Sequence, residues 1–261
     1  MATRLLSQPV RGQVEDIYAL VRLADEIVDG VAAEAGCTPE QIRHSLDELE
    51  QQTEWAMQHG FSSNLVVHAF ARTARATGIS AELTRPFFAS MRADITETVH
   101  TPESFARYVY GSAEVVGLMC LEAFLADGTF SQAERESFVE GARALGAAFQ
   151  KVNFLRDLAA DLDGLGRAYF PDVDVSQLTE TGKMALVANI DADLTVSARA
   201  VARLPKSSRR AVYLAQLLFA ELNRRVAKTP VEVIKTRRIR VPGLIKLWLL
   251  LTAISGRVRF K

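Results

Sequence analysis

Hydrophobic and polar residues recur with a helical period along most of the chain. Apolar residues three and four positions apart, with polar residues between them, predict amphipathic α-helices. No long alternating run indicates a strand, and no repeat of about 20 to 50 residues occurs. The predicted helices are Tyr18–Gly30, Thr38 to about His59, Asn64–Thr77, Ala81–Val99, Glu103–Ala126, Ser131 to about Gly164, Lys183–Arg203, Ser207–Lys228 and Pro242–Ser255. In the second of these helices Ile42, Leu46, Leu49 and Trp55 form the expected inward stripe. We therefore expect one all-α domain over residues 1–261.

Composition and charge narrow the range of functions. A hydrophobic content of 49% is ample for a substantial core, and the 31 basic residues balance the 31 acidic ones. Zero net charge gives no indication of nucleic acid binding. Cys37 and Cys120 lie far apart and lack the spacing of a zinc site or of a disulfide framework. With no secretory signal visible at the N-terminus, we expect a cytoplasmic protein.

A polar stripe runs along the helix that follows Ser131. Gln150, Asn153, Asp157 and Asp161 lie three and four positions apart and so share one helix face. The other faces carry apolar residues, which suggests neighbours on most sides, where an unpaired carboxylate is costly. A solvated face is the simpler interpretation of an isolated pair of aspartates at this spacing.

A second stripe of the same kind favours a functional interpretation. Tyr18, Arg22, Asp25 and Asp29 also fall on one face of an otherwise apolar helix. We therefore expect the two helices to face each other across a cavity, with four carboxylates at its polar end.

Four carboxylates in one cavity repel each other unless cations lie between them. Mg²⁺ prefers oxygen ligands and is usually held by one or two carboxylates together with substrate phosphate oxygens, and Mn²⁺ is the alternative ion. The predicted metal ligands are Asp25, Asp29, Asp157 and Asp161. Arg22, Arg156 and Arg167 lie beside them and are candidates for binding the remaining oxygens of a diphosphate.

At this point the sequence resembles a known family. The segments YALVRLADEIVDG (18–30) and NFLRDLAADLDGLGRAYFP (153–171) resemble the two aspartate-rich signatures of the squalene/phytoene synthase family. The segment YVYGSAEVVGLM (108–119) resembles the helix between them, in which small residues let a prenyl chain lie close to the backbone. The three motifs occur in the expected order between about Ser7 and about Pro242.

The resemblance implies a helical bundle of the isoprenoid synthase type with a central prenyl diphosphate pocket. It implies Mg²⁺-dependent, head-to-head condensation of two prenyl diphosphates through a cyclopropylcarbinyl diphosphate. Tyr18, Tyr108 and Tyr169 would steady the cations or mediate proton removal, and Gln150 and Asn153 would complete the polar cluster. The implied partners are therefore prenyl diphosphate substrates.

The product is a choice between members of the family. The sequences of the motifs are most similar to those of bacterial carotenoid-pathway members of the family. This favours formation of phytoene from geranylgeranyl diphosphate, with no requirement for NADPH. The alternatives are a dehydrosqualene or squalene synthase using farnesyl diphosphate, a single-substrate cyclase or hydrolase, and a prenyl diphosphate-binding subunit with impaired catalysis. The last alternative is motivated by the N-terminus, because family members usually have a further helix where only MATRLLSQP stands here.

The segment Pro242–Ser255 has two interpretations. It has too few residues to span a bilayer, which needs about 20. Basic residues flank it and Trp248 lies at its centre, so it is suited to resting on the inner membrane surface as a peripheral contact. Packing against the bundle is the other interpretation. Nearby, Arg238 or Arg240 is a further candidate for a diphosphate contact.

Overall fold

The computed structural model describes residues 2–28, 30–97, 100–160 and 177–255. A 3₁₀ turn, Ala2–Leu5, precedes the first helix. The helices are α1 (Val10–Val28), α2 (Val31–Glu34), α3 (Pro39–His59), α4 (Leu65–Thr77), α5 (Ala81–Thr96), α6 (Pro102–Val109), α7 (Val115–Leu125), α8 (Gln132–Ala160), α9 (Glu180–Val201), α10 (Lys206–Lys228), α11 (Val231–Ile234) and α12 (Gly243–Ile254). No strand occurs in these ranges, so the all-α prediction is confirmed.

Helix starts follow the capping residues in the sequence. The Thr38 side chain accepts a hydrogen bond from the Gln41 amide while the Gln41 side chain accepts one from the Thr38 amide, which forms a capping box. Asn64 caps α4. The backbone amide of Ser131 donates to the Glu134 carboxylate at 2.9 Å, as predicted for the start of the long helix α8.

The predicted helix Glu103–Ala126 is not continuous. A π-helical segment, Tyr110–Glu114, separates α6 from α7. A Cβ on Gly111 would lie 2.2 Å from the Pro86 carbonyl oxygen, so this glycine permits close contact with α5 rather than with a ligand. π-Segments inside helices are frequent at functional sites. The small residues of this segment therefore serve helix packing as well as any pocket.

Trp55 corrects a second expectation. Ile42, Leu46 and Leu49 are buried as predicted, whereas Trp55 is 51% exposed and stacks on His59 with 4.4 Å between ring centroids. Thr53 and Ala56 take the inward positions of this turn. The helical period had placed Trp55 about one position away from the true centre of the buried face.

Two large hydrophobic clusters form most of the core, and a small third one joins Leu6, Val10 and Ala211. One joins α1, α3, α4, α5 and α7 and lies between Ile17 and Ala123 in sequence. The other joins α6 to α12 and is centred on α8, whose Val152, Leu155 and Leu158 are buried as predicted. A Cβ on Gly141 would lie 2.2 Å from that of Ala200, so this glycine lets α8 approach α9 closely. Helix α7 contributes to both clusters and connects them.

The run Pro102–Leu125, which spans α6, the π-segment and α7, is long and apolar enough to cross a membrane by length and composition alone. Half of its most apolar window is buried inside the bundle. Core helices pass the same test, and the contacts of α7 with both clusters explain its hydropathy.

Lys183 ties the start of α9 to the end of α10. Its side chain is 1% exposed and forms an ion pair with Glu180, and its ammonium donates to the backbone carbonyls of Ala227 (3.2 Å) and Thr229 (2.6 Å). We expect Lys183→Met to lower the free energy of unfolding by about 2 kcal/mol, because charged hydrogen bonds to otherwise unpaired carbonyls are lost. Thermal unfolding followed by circular dichroism measures this. The exposed Lys228→Met is the control, and equal melting temperatures for the two variants would disprove this role.

Candidate functional site

An apolar cavity of about 520 Å³ lies between the two clusters. Its walls come from α1, the π-segment, α7, α8, the end of α9 and the start of α10. Apolar side chains dominate the lining, with Val21, Phe124 and Phe149 on three different walls. Burial raises the pKa of the Cys120 thiol, which also lines the cavity, to about 12, so this wall carries a neutral thiol. A cavity of this polarity is suited to an apolar ligand.

Helices α1 and α8 run in the same direction along the cavity. Just before α1, the Ser7 amide donates to the Ser207 carbonyl at 3.0 Å, beside the turn between α9 and α10. Near the start of α8, Phe138 lies under the guanidinium of Arg203, at the same turn, 5.5 Å from the ring centroid. Both helices therefore start at the α9–α10 turn, which closes one end of the cavity.

Asp25 and Asp157 lie toward the opposite end. On α1 Tyr18 and Val21 line the cavity and Asp25 follows four residues later, and on α8 Asn153 lines it and Asp157 follows four residues later. One turn of helix beyond the last lining residue brings each carboxylate to the mouth. One acidic residue from each motif therefore follows the cavity lining at the same end, and their role as metal ligands stays a prediction.

Two arginines hold the Asp157 carboxylate. Arg156 donates to it through Nε at 3.0 Å and Nη2 at 2.5 Å, and Arg238 donates through Nε at 2.6 Å and Nη2 at 3.3 Å. Arg238 is half exposed. A bidentate guanidinium suits a diphosphate as well as a carboxylate. Of the two basic residues proposed from the sequence, Arg238 is therefore placed at the mouth of the cavity.

Two polar atoms in the cavity wall have no hydrogen-bond partner among the described residues. They are Asn153 Oδ1 on α8 and Ser112 Oγ in the π-segment, and both residues line the cavity. A buried polar atom without a partner is costly, so each is suited to a ligand atom or water. The sequence indicated Ser112 only as one of the small residues beside the prenyl chain, and its polar role was missed because a serine in a run of small residues carries no motif of its own.

Tyr108 is buried behind the cavity lining rather than within it. Its hydroxyl donates to Asp94 Oδ1 at 2.7 Å, and its ring lies 5.0 Å from that of His100. Asp94 is itself half-buried. The role of Tyr108 stays a prediction, with the hydroxyl fixed by a carboxylate.

His100 gives the protein a pH dependence. Burial lowers the pKa of His100, and the nearby Glu97 carboxylate opposes this only in part. The unfolded chain therefore binds the proton more tightly, so stability is full above about pH 6.5 and is lost as the pH falls below it. We expect the melting temperature to fall by a few degrees from about pH 7.5 to about pH 5.5, before carboxylates titrate. His100→Gln should remove most of this fall, and an unchanged fall in that variant would assign it to other groups.

The other predicted residues are placed as follows. Tyr18 is 65% exposed at the mouth, and Arg22 is exposed and pairs with Glu26 on the same helix. Gln150 is half-buried on α8. Four predicted residues lie outside the described residues, namely Asp29, Asp161, Arg167 and Tyr169.

The predicted metal site can be tested in part on the described residues. Within those ranges no group of three or more His, Cys, Asp or Glu side chains lies together, and two of the four predicted ligands fall outside them. The donors at the mouth are carboxylate and amide oxygens, which are the ligands that Mg²⁺ prefers. Asn153 Oδ1 also has no partner among described residues. The described donors therefore fit Mg²⁺ in chemical type.

Comparison with known proteins identifies the family of this chain. The sequence profile described as squalene/phytoene synthase matches residues 1–244. The chain belongs to the squalene/phytoene synthase family. It is 31% identical to phytoene synthase 1 of Zea mays over 178 residues, which cover 68% of this chain and 42% of that protein. It is 26% identical to the phytoene synthase of Mycobacterium tuberculosis over 98% of this chain and 85% of that protein.

Solved structures show the same fold. A dehydrosqualene synthase superposes with a TM-score of 0.74 at 19% identity, covering 98% of this chain and 89% of that one. The squalene synthase HpnC from Alicyclobacillus acidocaldarius gives 0.66 at 18% identity, covering 88% and 100%. The chain spans about two fifths of the length of the plant enzymes it matches. The family consists of prenyltransferase-type enzymes, and its helical isoprenoid synthase fold is confirmed for this chain.

Proposed function

We propose that this protein condenses two molecules of geranylgeranyl diphosphate head to head to form phytoene. The observation that carries the proposal is the apolar cavity of about 520 Å³ between α1 and α8, with Asp25 and Asp157 each one turn of helix beyond the last lining residue. The curated relatives described above are named phytoene synthases, which favours the C20 substrate. We also expect the protein to act in the cytoplasm.

We expect the residues at the mouth of the cavity to bind the metal ion and the diphosphate. Asp25 and Asp157 would hold Mg²⁺, with Asp29 and Asp161 as the further predicted ligands. The family uses divalent ions to bind prenyl diphosphates, and the bound ion would stabilise the diphosphate as it leaves. Arg238 and Arg156 can transfer hydrogen bonds from Asp157 to diphosphate oxygens once the carboxylate binds the ion.

The apolar wall protects the reaction from water. Breaking the C1–O bond of the first substrate gives an allylic cation, which the second substrate's double bond captures with loss of a proton. The cyclopropylcarbinyl diphosphate formed in this way then loses its diphosphate, rearranges and releases a second proton. A wall built from side chains such as Val21 and Phe149 excludes water that would convert either cation to an alcohol.

The test is an incubation of purified protein with Mg²⁺ and either geranylgeranyl or farnesyl diphosphate, with and without NADPH. Extracted products are identified by mass spectrometry. A C40 hydrocarbon without NADPH is the expected result. A C30 hydrocarbon would replace the proposal with dehydrosqualene or squalene synthesis, according to the NADPH requirement. A product from one prenyl unit would indicate a cyclase or hydrolase, and bound substrate without product would indicate an impaired subunit.

A further inference from the structure

Helix α12 exposes a continuous apolar stripe, which we call the α12 face. Spaced at i, i+3, i+4, i+7 and i+10, its residues lie on one side of the helix. They are Leu244 (83% exposed), Leu247 (51%), Trp248 (63%), Leu251 (59%) and Ile254 (44%). The opposite side of α12 carries Leu249 and Ala253, which are buried against the bundle. Both interpretations of this segment are therefore partly right, since one side packs and the other does not.

The α12 face differs from the other exposed apolar residues of the described ranges. Those residues, for example Val31, Phe61 and Met184, lie on separate elements. Single exposed apolar residues are normal, whereas a contiguous apolar patch marks an interaction surface. The α12 face is therefore suited to a partner that can bury five large apolar side chains along one side of a helix.

Charge around the face selects the kind of partner. From residue 235 to residue 255 the sequence contains five basic residues and no acidic one. Four of them, Arg237, Arg238, Arg240 and Lys246, are exposed, and Lys246 lies within α12 itself. This combination is complementary to a surface that is negatively charged outside and apolar just below.

The dimensions fit a bilayer surface. Twelve residues of helix extend about 18 Å, whereas the hydrocarbon core is about 30 Å thick, so α12 is too short to span it. A helix with an apolar face, basic neighbours and a central tryptophan lies in the plane of the interface. Tryptophan prefers this depth because its ring is apolar and its N–H remains hydrogen-bonded.

We propose that the α12 face binds the surface of anionic phospholipid bilayers, with Leu247 and Trp248 inserted among the acyl chains and the exposed basic residues that precede α12, Arg237 and Arg240, available to the headgroup phosphates. This binding requires no substrate and no turnover. It therefore stands or falls separately from the proposed reaction. A second copy of the chain is the competing occupant, and the experiments below distinguish the two.

The first experiment uses tryptophan fluorescence, because the chain has only two tryptophans. The Trp55→Phe protein reports on Trp248 alone, and Trp248→Phe reports on Trp55 alone. On adding vesicles of phosphatidylcholine and phosphatidylglycerol, we expect the emission of the Trp55→Phe protein to shift to shorter wavelength and become protected from aqueous quencher. The emission of Trp248→Phe should not change. If the emission wavelength and quenching of Trp248 in the Trp55→Phe protein did not change on adding these vesicles, the proposal would be wrong.

The second experiment measures co-sedimentation of the full chain with vesicles. We expect Leu247→Gln/Trp248→Gln to weaken binding at least about tenfold, since two large apolar side chains no longer insert. Trp55→Gln, which changes a tryptophan of similar exposure on α3, should bind as wild type. Binding should also weaken for Arg237→Glu and at high salt.

The outcomes that would overturn the proposal are distinct. Equal binding to pure phosphatidylcholine would remove the role of charge. Wild-type binding by Leu247→Gln/Trp248→Gln would show that another surface is used. Light-scattering masses that report a dimer lost in that double variant, without vesicle binding, would assign the face to a second copy of the chain.

Discussion

Asp157→Asn should reduce kcat/KM with geranylgeranyl diphosphate by about 10²- to 10³-fold, the loss seen when one charge-stabilising group is removed from an active site. The carboxylate lies at the mouth of the cavity and the amide that replaces it is a much weaker ligand for Mg²⁺. Asp25→Asn should cause a similar loss from the other helix. The two losses should not add in the double variant if both carboxylates act on one diphosphate. Steady-state rates from radiolabelled product measure all three proteins.

Asp127→Asn is the matched control, because Asp127 is exposed at the end of α7 and lies away from the cavity lining. It should retain wild-type rates. All proteins should be compared at equal folded fraction, since Asp157 also pairs with Arg156 and Arg238. Wild-type rates in both Asp25→Asn and Asp157→Asn would show that the two motifs do not form the metal site.

Ala215→Phe should reduce use of geranylgeranyl diphosphate by at least about tenfold while farnesyl diphosphate is spared. Ala215 lines the cavity on α10, two to three turns after the α9–α10 turn that closes it. A phenyl ring in this space shortens the cavity. Each methylene that a pocket gains or loses changes selectivity by about 1–3 kcal/mol. Competition between the two substrates, with products separated by mass, measures the ratio of the two specificity constants.

The control for this substitution is Ala215→Ser, which changes polarity with little change in volume and should keep the wild-type preference. A fall in turnover of both substrates by the same factor in Ala215→Phe would mean that the prenyl chain does not reach α10. The prediction concerns chain length only, so it can fail while the assignment of the aspartates holds.

The sequence was most informative where local rules decide the structure. Capping residues such as Thr38, Asn64 and Ser131 gave helix starts within a residue or two, because their side chains bond backbone amides in the next turn. The spacing of the polar residues also predicted the shared face of Asn153 and Asp157, because residues four positions apart lie on the same side of a helix. Periodicity failed for Trp55, since a large ring can leave the buried stripe and stack on His59 instead.

Features that depend on distant contacts were less accessible. The bond between Arg238 and Asp157 joins residues 81 positions apart, and no pattern in either segment selects Arg238 over Arg240. The π-segment at Tyr110–Glu114 depends on how closely Gly111 approaches Pro86 on α5. Both are outcomes of packing, which a one-dimensional pattern does not contain.

The common starting point of α1 and α8 has a consequence for the order of folding. Asp25 and Asp157 are 132 positions apart in sequence, so the mouth of the cavity closes a very long loop. Contacts of such high sequence separation form late, because the entropy of the loop is lost before the contact is gained. All residues of the cluster between Ile17 and Ala123 precede α8 in the chain, so during synthesis they leave the ribosome first, and Val21 is then not yet covered by α8. The same surface that later encloses the cavity is then an aggregation hazard on the nascent chain, and we expect chaperones to engage it there.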